Sequence, residues 1–211
     1  MKVLVTGFEP FGSDVINASQ EAVQQLPDRI EEMEIIKKII PTAKRAAMNQ
    51  IEQLVFQYRP DVVLSIGQAA GRNAITVERV GINIDDYRIP DNMQEQPIDQ
   101  PIAVNGPDAY LCRLPIKRMV QAIRSEHIPA DISNTAGTFV CNHVCYATAH
   151  LLKESGFSAK SGFLHVPLLE SQAKPGQPSM TLTDIVRGLI AAIASLRVLD
   201  EDVKQTEGTF Q

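Results

Sequence analysis

Two short runs rich in β-branched residues, KVLVT at 2–6 and DVVLSI at 61–66, each end in glycine, and two stretches of helical periodicity lie between them. Such runs read as buried strands that feed into loops. The first helical stretch follows Asn17, a capping residue with Gln20 three positions on as in a capping box, and turns Ala22, Val23 and Leu26 inward. The second begins after Pro41-Thr42, sets Ala43, Ala47, Leu54 and Tyr58 at helical spacing, and stops before Pro60. Between the helices EMEIIKKII supplies a further strand. Alternation of this kind constrains the chain to a twisted, largely parallel sheet covered on both faces.

The rest of the chain continues the pattern. AITVERVGIN reads as one extended segment, and the polar, proline-rich DDYRIPDNMQEQPIDQPIAVNGPDAY as a long loop that is functional, mobile or a cover for a subunit boundary. A helix is expected from Pro115, with Ile116, Met119, Val120 and Ile123 on one face, followed by a short strand at ADIS. Residues 138–155 form the next helix, SGFLHVPLL a strand cut by Pro167, and 181–197 the last strong helix. The acidic tail DEDVKQTEGTFQ is expected to fray. The expectation is an α/β protein, one domain over residues 1–211, with chemistry in the crevice beyond the carboxyl ends of the strands.

Composition removes several functions. The net charge of −5 comes without a basic run, so nucleic acid and anionic lipid are not expected partners. No apolar stretch approaches the ~20 residues that span a bilayer, and MKVLVTG has no signal-peptide pattern, so a cytosolic location is expected. The three cysteines, Cys112, Cys141 and Cys145, are an odd number with two on one helix, which favours reduced thiols over a disulfide framework.

Within SNTAGTFVCNHVCYATAH, Cys141 falls in the first turn of its helix if Thr138 or a neighbour is the cap. Unpaired N–H groups and the helix dipole favour an anion there, which would lower the thiol pKa and activate a nucleophile. Cys145, one turn deeper, reads as a small buried hydrophobe. A zinc site would need a histidine and more ligands than this spacing offers. His165 in GFLHVP is either a satisfied core histidine or the base for Cys141. His143 projects from another helix face, and His127 and His150 read as solvated helix ends. Glu78 is either solvent-facing, in a salt bridge with Arg79 or Arg72, or the acid that orients His165. Phe8 and Phe11 in GFEPFG, which lacks a P-loop's Lys-Ser/Thr, form an apolar ligand wall or plug their own loop.

TGFEPFG, GQAAGRNAITVERVGIN, SNTAGTFVCNH and GFLHVP together closely resemble the pyroglutamyl-peptidase I family, over about the first four-fifths of the chain. The resemblance implies an α/β/α sandwich, a cytosolic enzyme without metal or organic cofactor, and a homotetramer or smaller assembly. It implies Cys141 as nucleophile, His165 as acid/base and Glu78 as orienting acid, acting on a pyroglutamyl peptide. Phe8, Phe11, Phe139 and Val140 are then expected around the lactam ring, Gln68 as a donor to its carbonyl, Asn17 as a support for the Phe loop, and Arg88 near the oxyanion or as a loop anchor to Asp85 or Asp86. Two positions depart from the family pattern: Ala70 and Gly81 stand where GQAGGR and ERVAIN are usual. The reading from another class is a non-catalytic α/β binder of a small cyclic ligand.

Overall fold

The computed structural model describes residues 1–208. In chain order its elements are β1 (Lys2–Phe8), α1 (Ala18–Gln25), β2 (Arg29–Ile30), β3 (Met33–Ile40), α2 (Lys44–Tyr58), β4 (Val62–Gln68), β5 (Ile75–Glu78) and β6 (Val80–Ile82). There follow β7 (Ala109–Leu111), α3 (Ile116–Ser125), β8 (Ala130–Ser133), α4 (Val140–Glu154), β9 (Lys160–Val166), β10 (Leu168–Leu169), β11 (Ser179–Met180) and α5 (Leu182–Ala194). Seven strands make one sheet in the order β2-β3-β1-β4-β9-β5-β8. β3, β1, β4 and β9 are parallel, whereas β5 runs antiparallel to β9 and parallel to β8. The result is a three-layer α/β/α sandwich around a mixed, mostly parallel sheet.

The two-residue period of each strand sorts the layers. Val3 and Val5 of β1, Leu64 and Ile66 of β4, and Leu164 and Val166 of β9 join the core with α1, α3 and α5. Leu4, Phe8, Val63 and Phe163 join the core with α2 and α4. Each such aliphatic or aromatic side chain contributes about 1.5–3 kcal/mol when fully buried. Alternation therefore places Gly67, His165, Thr76 and Glu78 on the α2/α4 side. No helix among the described residues is long and apolar enough to cross a membrane.

Several expectations change. AITVERVGIN is not one strand: it breaks after Glu78, and β6 pairs with β7 in a separate ribbon. The Gln20 capping box does not form, because Asn17 Oδ1 accepts from Ser19 N at 2.9 Å and the Ala18 N–H goes to Gln68 Oε1 at 2.7 Å. His150 lies inside α4, its Nδ1 3.0 Å from the Tyr110 hydroxyl, rather than at a solvated end. The acidic tail is docked as far as Gly208, and Thr209, Phe210 and Gln211 lie outside the described residues. Asp202 accepts from Lys117 N and Arg118 N at 3.1 and 2.9 Å, serving an α3 N-terminus that has no side-chain cap of its own. Glu207 pairs with Arg124 at 2.8 Å and its carbonyl accepts from Arg79 at 2.9 Å.

Candidate active site

His165 is the penultimate residue of β9 and Glu78 the last of β5. Because those strands are antiparallel with Thr76 opposite His165, Glu78 is the diagonal neighbour on the same face, within reach of a long side chain. Its Oε1 accepts from His165 Nδ1 at 2.7 Å and from Arg72 Nη1 at 2.7 Å. The two readings of Glu78 left open by the sequence are thus both realised on one oxygen, and the solvent-facing one is not: Glu78 is fully buried. Burial pushes its carboxyl pKa up, but the hydrogen bond and charge of His165, with the charge of Arg72, bring it below the ordinary value. Burial lowers the His165 pKa from its usual 6.5 against the opposing pull of Glu78.

Cys141 is the second residue of α4. A Cβ added to Gly67 would stand 2.9 Å from its sulfur, and Gly67 is the register partner of His165 on β4. The sulfur therefore lies over the β4–β9 pair on the face that carries the imidazole. Thr138 does not cap the helix: its hydroxyl donates to Asp86 O at 2.8 Å, and the N-cap, Phe139, offers no side-chain acceptor. The first-turn N–H groups of α4 are left without a side-chain cap. The expected lowering of the thiol pKa is overturned. Burial, then the charge of Glu78, push Cys141 up to about 12, with Arg72 pulling the other way. Removing a thiolate from water outweighs the helix terminus, so the resting pair is a thiol and a neutral imidazole.

Beside the sulfur opens a cavity of about 460 Å³, within the ~300–1,000 Å³ of small-molecule sites. Phe8, Phe11 and Phe139 line it, with Phe11 and Phe139 edge to face at 5.2 Å. Gln68 lines it too, and its Oε1 is occupied by Ala18 N and by Gln172 Nε2 at 2.9 Å, so the amide N–H₂ is what it has to offer a ligand. Asn17 Nδ2 donates to Glu9 O at 3.1 Å, bracing the phenylalanine loop. Arg88 is exposed on the lining and has no ion pair among the described residues; Asp85 is taken instead by Lys44 at 3.5 Å and His143 at 2.9 Å. Val140 is not in the lining. Its side chain is fully buried in the α2/α4 core, because it leaves the helix one position before Cys141 and turns toward the sheet.

The long loop is a bonded wall. Asp91 accepts from Lys44 N, Met93 N and Glu95 N at 3.1, 2.9 and 3.0 Å, and Asn92 donates to Glu9 Oε1 and Pro10 O at 3.0 and 2.9 Å. Asn142, which the sequence reading passed over, is fully buried and joins Ile82 N, Ile82 O and Ile84 O to the helix next to the cysteine. Gly81 has a packing reason, since a Cβ there would meet Tyr146 N at 2.8 Å; Ala70 sits exposed in the turn after β4. Cys145 and Cys112 line a separate cavity of about 120 Å³, and Cys145 is half-buried. Among the described residues no three His, Cys, Asp or Glu side chains converge as metal ligands.

A sandwich of this topology, with a cysteine at a helix start and a carboxylate-bound histidine beside it, has the layout of a cysteine hydrolase. The family model described as pyroglutamyl peptidase matches residues 1–198, and the chain belongs to that family. A pyrrolidone-carboxylate peptidase of Finegoldia magna is 50% identical over 210 residues, covering 99% of each chain. One from Treponema denticola is 49% identical over 214 residues, again 99% of each. The crystal structure of pyroglutamyl peptidase I from Bacillus amyloliquefaciens superposes with a TM-score of 0.94 at 38% identity, covering 97% of this chain and 99% of that one.

Proposed function

We propose that this chain is a cysteine exopeptidase, a pyroglutamyl-peptidase I, that hydrolyses the amide bond after an N-terminal pyroglutamyl residue. The observation that carries the reading is the Glu78–His165 contact at 2.7 Å on the sheet face over which the Cys141 sulfur lies, beside the phenylalanine-lined cavity. As the Cys141 sulfur bonds to the pyroglutamyl carbonyl carbon, its proton passes to His165 Nε2, and Glu78 stabilises the imidazolium through Nδ1–H. The oxyanion is received by the uncapped first-turn N–H groups of α4 and by Arg88; a good donor is worth about 3 kcal/mol. His165 then protonates the leaving amine, and the C–N bond breaks to give a thioester. Water, deprotonated by His165, attacks the thioester; pyroglutamate leaves and the thiol is restored.

The pyroglutamyl ring has no α-ammonium, which suits walls made by Phe8, Phe11 and Phe139, with Gln68 donating to the lactam carbonyl and Asn17 holding the loop. Asp14 and Asp86 also belong to the lining, and Asp14 is exposed on it. The chain is read as one domain working in the cytosol, with no organic cofactor or metal, as a homo-oligomer of up to four subunits. Exposed Ile98 and Val104 on the long loop support a subunit contact there. The test is turnover of a chromogenic pyroglutamyl amide by wild type beside Cys141→Ser. Hydrolysis by both, or by neither, overturns the reading.

A further inference from the structure

Arg72 enters from the loop between β4 and β5 and reaches three groups. Nη1 donates to Glu78 Oε1 at 2.7 Å and to the Thr76 hydroxyl, while Nη2 donates to Thr135 O at 3.1 Å. Thr76 and Glu78 lie on the same face of β5, so the guanidinium spans both and is held from the other side by the turn after β8. Only about a quarter of the Arg72 side chain is exposed, and Glu78 is wholly buried. Among the described residues Arg72 is the one lysine or arginine within ion-pair distance of Glu78. Among the described residues the second Glu78 oxygen has no hydrogen-bond partner, and the Ser133 hydroxyl beside it donates to Thr135 O at 2.9 Å.

We propose that Arg72 is a positioning residue of the reaction: its guanidinium fixes Glu78 Oε1 in the orientation that receives His165 Nδ1–H. This rests on the peptidase reading above. A glutamate side chain has three torsions, and a single contact to the imidazole leaves them underdetermined; the two-pronged guanidinium, anchored at Thr76 and Thr135, removes that freedom. Arg72 also balances a carboxylate that would otherwise draw a proton onto His165. The other titratable groups facing this centre are Cys141 and Cys145 from α4 and Cys112 after β7; Asp131 on β8 is paired with Arg124 at 3.7 Å. None of these is a second cation.

The experiment measures kcat, KM and the pH profile of kcat/KM on a pyroglutamyl amide for Arg72→Gln, Arg72→Lys and Arg79→Gln, with thermal melts of each. Arg72→Gln is expected to lower kcat about 10- to 100-fold with KM within about twofold. Its acid limb should move to higher pH, since an unbalanced Glu78 favours the imidazolium. Arg72→Lys keeps the charge and loses the fork, so its limb should stay near that of wild type while kcat still falls about tenfold. Arg79→Gln, whose guanidinium goes to Asn134 and Glu207 O, should leave the limb in place. A wild-type kcat in Arg72→Lys, or an unmoved limb in a folded Arg72→Gln, overturns the proposal. Should Arg72→Gln fail to fold, the Lys variant decides alone. Inactivity of wild type would strike the peptidase reading instead, so the two failures are separable.

Discussion

Gly67 stands directly opposite His165 in the parallel β4–β9 pairing, and the place its Cβ would occupy lies 2.9 Å from the Cys141 sulfur and 2.9 Å from the Phe163 ring. The missing side chain is the seat of the nucleophile. Gly67→Ala should therefore displace the sulfur from the imidazole and lower kcat about 100-fold, while overpacking costs about 1–3 kcal/mol. Steady-state kinetics with a thermal melt checks both parts. Unchanged kcat would mean that the sulfur works from another position.

Cys141→Ser should abolish turnover and Cys145→Ser should leave most of it, because the Cys141 sulfur is the one seated against Gly67, the register partner of His165. With burial pushing its thiol well above the ordinary value, Cys141 rests as the thiol at neutral pH. Iodoacetamide should then react slowly with the free enzyme, and a pyroglutamyl chloromethyl ketone quickly, since occupying the cavity recruits His165 as the base. The ratio of the two inactivation rates is the measurement, and fast labelling by iodoacetamide would contradict a resting thiol.

The acid limb of kcat/KM should fall below the ordinary histidine value of 6.5, because burial depresses His165. Stability follows the same sign. Below pH ~6.5 the unfolded chain takes up a proton at this histidine that the folded chain refuses, so the stabilisation present above that pH is lost as pH falls through the lowered folded value. Glu78, also lowered, acts in the same direction further down, below about 4.5. Melting temperature against pH, wild type beside His165→Gln, isolates the histidine contribution; a steeper acid loss in the variant would reverse the assignment.

Glu78→Gln should lower kcat by about 10²–10⁴ with a smaller change in KM, as when the acid behind a catalytic histidine is neutralised. Its acid limb should move to lower pH, because the carboxylate is what supports the imidazolium. Neutralising Glu78 and neutralising Arg72 thus shift the same limb in opposite directions. Parallel shifts in the pH profiles would show that the two do not act through one oxygen.

Asp202→Ala removes the acceptor for two N–H groups at the start of α3. The loss should be about 0.5–2 kcal/mol, a few degrees in melting temperature for a chain of this size, with catalytic constants unchanged. A melt and one activity assay suffice, and a large drop in kcat would mean that the tail reaches the site.

Much of the sandwich was legible because buried parallel strands announce themselves: KVLVT and DVVLSI fall on β1 and β4, and the α3 stripe from Ile116 to Ile123 is the buried face. What was hidden depends on partners distant in sequence. Nothing around Asp202 marks it as the cap of a helix 85 positions earlier in the chain. Glu78 was open to a solvent-facing reading because Arg72 and His165, which close over that face of β5, come from a loop and from a strand distant in sequence. The triad positions entered through the family motifs; the Arg72–Glu78 pair was among the readings the segment allowed, but its sharing of one oxygen with His165, and the bonds of Asn142 to the 82–84 backbone, could not be read from spacing. The thiol was misjudged because a helix start is visible in sequence and the depth of burial around it is not.

Gly67 and Gln68 are consecutive, so the strand's alternation sends them to opposite layers: the glycine to the α4 side with the sulfur, the glutamine to the α1 side, where it bonds Ala18 N. One lining group of the cavity, the Gln68 amide, thus hangs from the α1 side of the strand whose other side seats the sulfur, while Phe8 and Phe139 close the cavity from the α2/α4 layer. On the proposed reading, reseating α1 through Asn17 should move that amide and change tolerance for the ring without touching the seat of the sulfur.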